Sequence, residues 1–389
     1  MSGDDIRSGG PADLRAARDS YEKAAAAGDT DAMVHLGAIC QQCEPTDLPA
    51  ARMWWEKAAQ LGNLEAMAQL GSLLTQLEPP DLQTARSWFE KAAAAGNTNA
   101  MTSLGRLLVD YWSPPDVPAA RTWLERAAAA GRVDAMVMLG GLAFQVVNPP
   151  DLPAARGWWE KAAAAGDVGA MASLGELFTR WDPPDLSAAQ DWLRKAAGAG
   201  HLRAMANLGT LLAESDPPRL AAAHDWWQMA VERGGAAMLS DLGVALAGQD
   251  LRAARLCLEV AAGAGETGAM NNLGNVLVRL DPPEIAEARS LWEKAAAAGN
   301  ADAMANLGDL FSQSDPPDPT AARAWLDKAV AAGHPGAMTS MAKALLRSDP
   351  QNVSAAMDWL QKAAAAGEPR AKSLMDGLSD LQHGRDAEK

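Results

Sequence analysis

The chain has 389 residues, with 34 Lys and Arg against 49 Asp and Glu and a net charge of −15. Its cations are spread along the chain, whereas a phosphate-binding face needs them clustered, so nucleic acid is excluded as a partner. No apolar run approaches the ~20 residues that span a bilayer, Met1–Gly10 lacks the apolar core of a secretion signal, and three cysteines make no disulfide framework; a cytoplasmic protein is expected.

Residues 1–10 are polar and are expected to form a flexible segment. From residue 11 to residue 378 one pattern returns, marked by Gly28, Gly62, Gly96, Gly131, Gly166, Gly200, Gly234, Gly265, Gly299, Gly333 and Gly367. The spacing is 34 or 35 residues except from Gly234 to Gly265, where it is 31. A fixed period in this range marks stacked repeats. Their core lengthens as each unit packs on its neighbours, so 389 residues can form a single solenoid.

The stretch Asn97–Gly131 shows one unit. Asn97 is a good N-cap for a helix from Thr98 to about Asp110. On it Met101, Leu104, Gly105 and Leu108 recur at helical spacing as a buried face. Gly105 omits a side chain where another helix must come close; Gly37, Gly71, Gly140, Gly175, Gly209, Gly243, Gly274 and Gly308 hold the same slot. Pro114-Pro115 stops this helix, since proline lacks the amide and disfavours helix in the residue before it. Asp116 then caps a second helix, Val117 to Ala130, which buries Ala120, Leu124, Ala127 and Ala128 and ends at Gly131 in a left-handed cap. The unit is an antiparallel helix pair, and eleven second helices can be counted.

Other features fall into place along the chain. Cys40 and Cys43 form a Cys-x-x-Cys, but a zinc site needs two further ligands and a thioredoxin-like motif needs a strand-to-helix setting, so an incidental thiol pair is the reading. In the second helices one slot is always large and apolar (Tyr21, Trp55, Phe89, Leu124, Trp159, Leu193, Trp227, Leu258, Trp292, Leu326, Leu360), as a packing position would be. The preceding slot holds Trp54, Trp88, Trp123, Trp158, Trp192, Trp226, Trp325 and Trp359, expected to bridge repeats while keeping the indole nitrogen wet, with a ligand-stacking platform as the alternative. Glu78, Asp81, Asp116, Asp151, Asp182, Asp185, Asp216, Asp281, Asp315 and Asp318 surround the Pro-Pro turns. Helix capping is their expected role, a negative edge its consequence. Between Gly234 and Gly265 the Pro-Pro linker is replaced by Ala247-Gly248-Gln249-Asp250, which reads as a kink or hinge at 233–257, with a harmless deletion absorbed by the turn as the alternative. After Gly367 the unit drifts to Ala371-Lys372 and Met375-Asp376, and 379–389 reads as a charged tail, a polar terminal cap.

The arrangement Ala-Met-x-x-Leu-Gly-x-Leu-Leu, then Ala-Ala-Arg-x-Trp-Trp-Glu-Lys-Ala-Ala-x-x-Gly, resembles the Sel-one-like repeat, a relative of the tetratricopeptide repeat, over roughly residues 11–378. It departs in its Pro-Pro loops and in the Leu, Val or Phe that follows Leu-Gly. The resemblance implies an all-α, α/α superhelical solenoid of about eleven antiparallel pairs, with the Leu-Gly helices lining a concave groove, and a role as adaptor or scaffold. Helical geometry puts the exposed neighbours of the core face five and two residues before the Leu, and two and five after it. These slots vary along the chain while the core slots barely change. Candidates for partner contact are Asn99, Arg106, Asp134, Glu176, Arg203, Asn271, Asn275, Asp302 and Asp309, with Asp31 beside them. Ala38, Ser72, Gly141, Ala172, Thr210 and Ala305 would leave room for an extended peptide. No catalytic triad, phosphate loop or paired-His metal motif appears, and neither cofactor nor catalysis is expected. The reading is a non-enzymatic scaffold, monomeric or weakly self-associating, that binds a protein or peptide in the groove. A repeat-based enzyme or small-molecule sensor and a self-assembling structural module are the alternatives.

Overall fold

The computed structural model describes residues 11–43, 46–111, 113–147, 149–349 and 351–387. The segment 1–10 lies outside them. The described residues hold 22 α-helices and no strand, and the chain divides into two compact units between Trp192 and Leu193. The first unit contains α1 (Pro11–Ala26), α2 (Thr30–Gln42), α3 (Leu48–Gln60), α4 (Leu64–Thr75), α5 (Leu82–Ala94), α6 (Thr98–Asp110), α7 (Val117–Ala129), α8 (Val133–Gly141), α9 (Leu152–Ala164) and α10 (Val168–Thr179). A π-helical turn, Leu142–Val146, prolongs α8. The boundary falls inside α11 (Leu186–Gly198). The second unit continues with α12 (Leu202–Ala213), α13 (Leu220–Glu232), α14 (Ala236–Leu246), α15 (Leu251–Gly263), α16 (Thr267–Leu277), α17 (Ile285–Ala297), α18 (Ala301–Gln313), α19 (Pro319–Ala331), α20 (Pro335–Ser348), α21 (Val353–Ala365) and α22 (Pro369–Ala387). The backbone of the expected C-terminal tail thus runs on in helix as far as Ala387.

Local signals set these boundaries. Asn97 accepts from the Ala100 amide at 2.8 Å and Asp116 from Ala119 at 3.2 Å, each capping its own helix. Asp81, Asp151, Asp185 and Asp318 do the same for α5, α9, α11 and α19. Each such cap contributes about 1 kcal/mol to its helix. Glu78, Asp182, Asp216, Asp281 and Asp315 instead stand before cis prolines, as does Ser113. All eleven period glycines have φ between 83° and 98°, the left-handed region that lets the chain turn from an odd helix into the next even one.

Within each unit every even-numbered Leu-Gly helix packs along the odd helix that follows it, as α6 does on α7 and α18 on α19. The contact is glycine against a large side chain. A Cβ on Gly37, Gly140, Gly209 or Gly274 would lie 2.3 or 2.4 Å from the indole nitrogen of Trp55, Trp159, Trp227 or Trp292. On Gly71, Gly105, Gly243 or Gly308 it would strike Phe89, Leu124, Leu258 or Leu326. The four indole N–H groups also donate to one carbonyl slot, on Val34, Val137, Ala206 and Asn271, at 3.1–3.2 Å. Buried Trp is thereby both packed and satisfied.

The Trp in the preceding slot is half-buried. Trp54, Trp88, Trp123 and Trp158 pack against the core of the first unit. A cation three residues on lies over the ring of Trp54, Trp88, Trp123, Trp158, Trp325 and Trp359, from 3.9 Å for Lys328 over Trp325 to 5.6 Å for Lys57 over Trp54; Trp226 has Met229 in that place instead.

The interval singled out in the sequence departs locally. Gly235 precedes α14 without a side-chain cap, and α13 packs along α15 while touching α14 only lightly.

Candidate binding face

Neighbouring Leu-Gly helices are joined by side-chain hydrogen bonds that recur from repeat to repeat. One set lies at the helix starts and reaches back to the slot five before the Leu of the preceding repeat. Asn63 donates to Asp31 at 2.8 Å, Asn97 and Asn99 to Glu65 at 3.4 and 3.3 Å, and His334 meets Asp302 at 2.9 Å. The His334 Nδ1 accepts from the Ala337 amide, so its Nε2–H is the donor toward Asp302.

A second set lies mid-helix. Asn272 donates to the Ser240 hydroxyl at 3.2 Å. Asn306 donates to Asn271 at 2.8 Å and to Asn275 at 2.9 Å, and the Ser340 hydroxyl donates to Asp309 at 3.1 Å. Each donor here stands immediately before its repeat's Leu, or before Met341 in α20. That slot is polar in nearly every repeat (Gln69, Ser103, Ser173, Asn207, Asp241), a signal the expected groove residues left out.

Two cavities open on this face. In the first unit one of about 230 Å³ gathers Asn99, Arg106 and Asp134 with Glu65, Ser72 and Arg132. Arg132 forks onto Asp134, whose hydrogen bond holds the guanidinium pKa above its ordinary value. In the second unit one of about 650 Å³ brings together Asn271, Asn275, Asp302 and Asp309 with Asn306, His334, Thr339 and Lys343. Glu176, half-buried on α10, and Arg203, exposed on α12, line neither.

One geometric expectation fails. The slot two residues before the Leu is buried in Ala68, Thr102, Ala172, Ala206, Ser240, Asn271 and Ala305, and at the matching Thr339. Asn271 is only 5% exposed and is a link between repeats, not an open contact residue. The cause lies outside the single helix. Leu-Gly helices also pack against the Leu-Gly helix of an adjacent repeat, as α4 does on α6 and α18 on α20, and at Ser240 and Asn271 this slot is bonded to that neighbour. A helical wheel drawn for one repeat leaves it in water.

The repeat is equally clear by comparison. The Sel1 repeat profile matches ten stretches: residues 3–29, 30–63, 64–97, 99–131, 133–167, 169–201, 202–235, 267–300, 301–334 and 335–368. The chain belongs to the Sel1 repeat family. The unmatched span between 235 and 267 is the shortened repeat. Among solved structures, the protective antigen c5321 of uropathogenic Escherichia coli, which displays an SLR fold, is 23% identical over 93% of this chain and 82% of its own, with a TM-score of 0.52. A Sel1 repeat protein from Oxalobacter formigenes is 25% identical over 53% of this chain and 88% of its own, with a TM-score of 0.43. No curated protein matches.

Away from the Leu-Gly face, these Sel1 repeats hold a third cavity of about 640 Å³ beside α13 and α15, walled by Leu220, Leu256, Leu280 and Pro282. Arg255 at its edge bonds Glu259 and Glu284, both at 2.6 Å, and these bonds raise its pKa. Cys40, Cys43 and Cys257 are thiols; burial pushes Cys40 up and Cys257 to about 12. Among the described residues no group of three or more His, Cys, Asp or Glu is placed to hold a metal ion, and no helix is long and apolar enough to cross a membrane.

Proposed function

We propose that this chain is a non-enzymatic adaptor of the cytoplasm that binds an extended segment of a partner protein along its Leu-Gly helices. Sel1 repeats generally serve as protein-interaction modules, and their fold is typically non-catalytic. The observation that carries the reading is the division of labour between slots. The slots that meet the following helix repeat with little change, while the polar slots beside them differ from repeat to repeat and line a cavity in each unit. Packing does not demand that variety, and a linear partner read one repeat at a time would. Three cysteines held as thiols support the cytoplasmic setting.

Retention of partners from the native host on the immobilised full chain tests the proposal. Asn99→Lys with Arg106→Glu reverses the character of the first cavity without entering the core, and Asn306→Ala alters the second. Loss of at least one partner in either variant is expected. If both variants, still folded by circular dichroism, retain every partner of the wild type, the assignment to this face is wrong.

A further inference from the structure

We infer that the cavity of the second unit is a peptide-backbone site, holding one stretch of an extended peptide by its amide groups and taking one apolar side chain into the space beside it. The inference rests on the reading of the Leu-Gly face as a peptide-binding surface and names what one part of it recognises. Its centre is a pair of carboxamides. Asn306 spends both amide protons on Asn271 and Asn275, and its own carbonyl oxygen has no partner among the described residues. Asn275 accepts from Asn306 and donates to nothing among the described residues. An amide donor and an amide acceptor are therefore held side by side by their mutual bond. That is the complement of a peptide unit, which offers one N–H and one C=O.

The second observation is an orphan. Thr339 lines the same cavity, is 4% exposed, and its hydroxyl has no hydrogen-bond partner. The other polar groups in this slot are satisfied: Thr102 donates to the Thr98 carbonyl at 3.1 Å, Ser240 accepts from Asn272, and Asn271 accepts from Asn306. A buried hydroxyl without a partner is a standing cost. At this place an incoming polar group is a gain.

The third observation selects a peptide among ligands that carry amides. Asn275, Asn306 and Asp309 are shared with an adjoining cavity of about 600 Å³ walled by Val278, Ile285, Trp292 and Leu310. An extended chain turns successive side chains to opposite sides about 3.3 Å apart, so one held by its backbone at the Asn pair can direct a neighbouring side chain into that space. Charge does not dominate. Asp302 is taken by His334 and Asp309 accepts from Ser340, while Lys343 and Arg370 face the cavity together with Glu368. A segment with an apolar anchor and no obligatory charge fits this balance.

Twelve-residue peptides displayed on phage, selected on the full chain and then synthesised for fluorescence anisotropy, test the inference. Selected peptides are expected to share one Leu, Ile, Met or Phe position and no fixed charge. Affinity is expected to fall at least tenfold with Asn306→Ala, with Leu310→Trp, which fills the apolar space and leaves the carboxamides intact, and with N-methylation of the backbone amide at or next to the shared residue. Should Asn306→Ala fail to fold, Leu310→Trp and the methylated peptides decide. Peptides that bind equally to Leu310→Trp and tolerate methylation at every position overturn the inference, as do peptides with a fixed charge whose affinity collapses with Lys343→Glu. Peptides that lose affinity only with Arg106→Glu leave the peptide-binding reading standing and end this one, whereas a library that yields no binder ends both.

Discussion

Gly140 and Gly141 stand side by side in α8 and respond to opposite demands. A Cβ on Gly140 would lie 2.3 Å from the Trp159 indole nitrogen, whereas one on Gly141 would meet nothing within 4 Å. Gly140→Ala is expected to lose about 1–3 kcal/mol through overpacking. Gly141→Ala is expected to be neutral, or to gain up to ~1 kcal/mol from helix propensity; thermal melts of the two variants check the contrast. A carboxylate makes the second case at this scale. Glu214 is partly desolvated at the end of α12 and lies near Asp250, and both effects raise its pKa. Because its folded pKa exceeds the unfolded one, its charge opposes folding above that folded value, and the penalty disappears below the unfolded carboxylate range. Glu214→Gln is therefore expected to stabilise the protein at pH 7, by less than ~1 kcal/mol after solvent screening, and to make no difference near pH 3. A gain that persists at pH 3 would refute the electrostatic cause.

Helices are joined by two kinds of device, and only one could be read in advance. Caps, glycine stops and the glycine-against-Trp seam follow from neighbours within one repeat, so Asn97, Asp116, Gly105 and Leu124 take the places their spacing predicts. The links between repeats depend on which residues lie one period apart in space, which no single helix encodes. For that reason Asn271 is expected in the open and is found buried, and Asn306 is passed over although it joins Asn271 to Asn275. The cavities gather seven of the nine candidates but owe much of their chemistry to His334, Thr339 and Ser340, whose relevance depends on packing of α18 on α20. Arg255 is another such link, since it ties α15 to Glu284 at the start of α17 and holds that carboxyl below its ordinary range. A depressed carboxylate contributes stability above its unfolded pKa and loses it as pH falls through the folded value. Arg255→Ala is expected to lower stability at neutral pH and to do so much less in acid. Carboxyl titration by NMR should show the Glu284 pKa rising in the variant.

At the scale of the chain, stability is local currency. Each repeat contacts its neighbours and little else, so a defect should spread only as far as neighbouring interfaces carry it. Hydrogen exchange on Gly140→Ala is expected to accelerate most in α8 and α9, less in α6, α7 and α10, and hardly at all in α18 to α21. Uniform acceleration throughout would mean one cooperative core, contrary to the nearest-neighbour pattern of packing.

The bonds between Asn306, Asn271 and Asn275, and between Ser340 and Asp309, have a consequence for any guest. They are struts of the scaffold and fittings of its surface at once. A guest that leaves them in place docks on a stiffened stack of neighbouring repeats; one that captures them must first unfasten one repeat from the next. Occupancy and flexibility are then two readings of one equilibrium, and by reciprocity a stack loosened at α18 and α20 would hold such a guest more tightly.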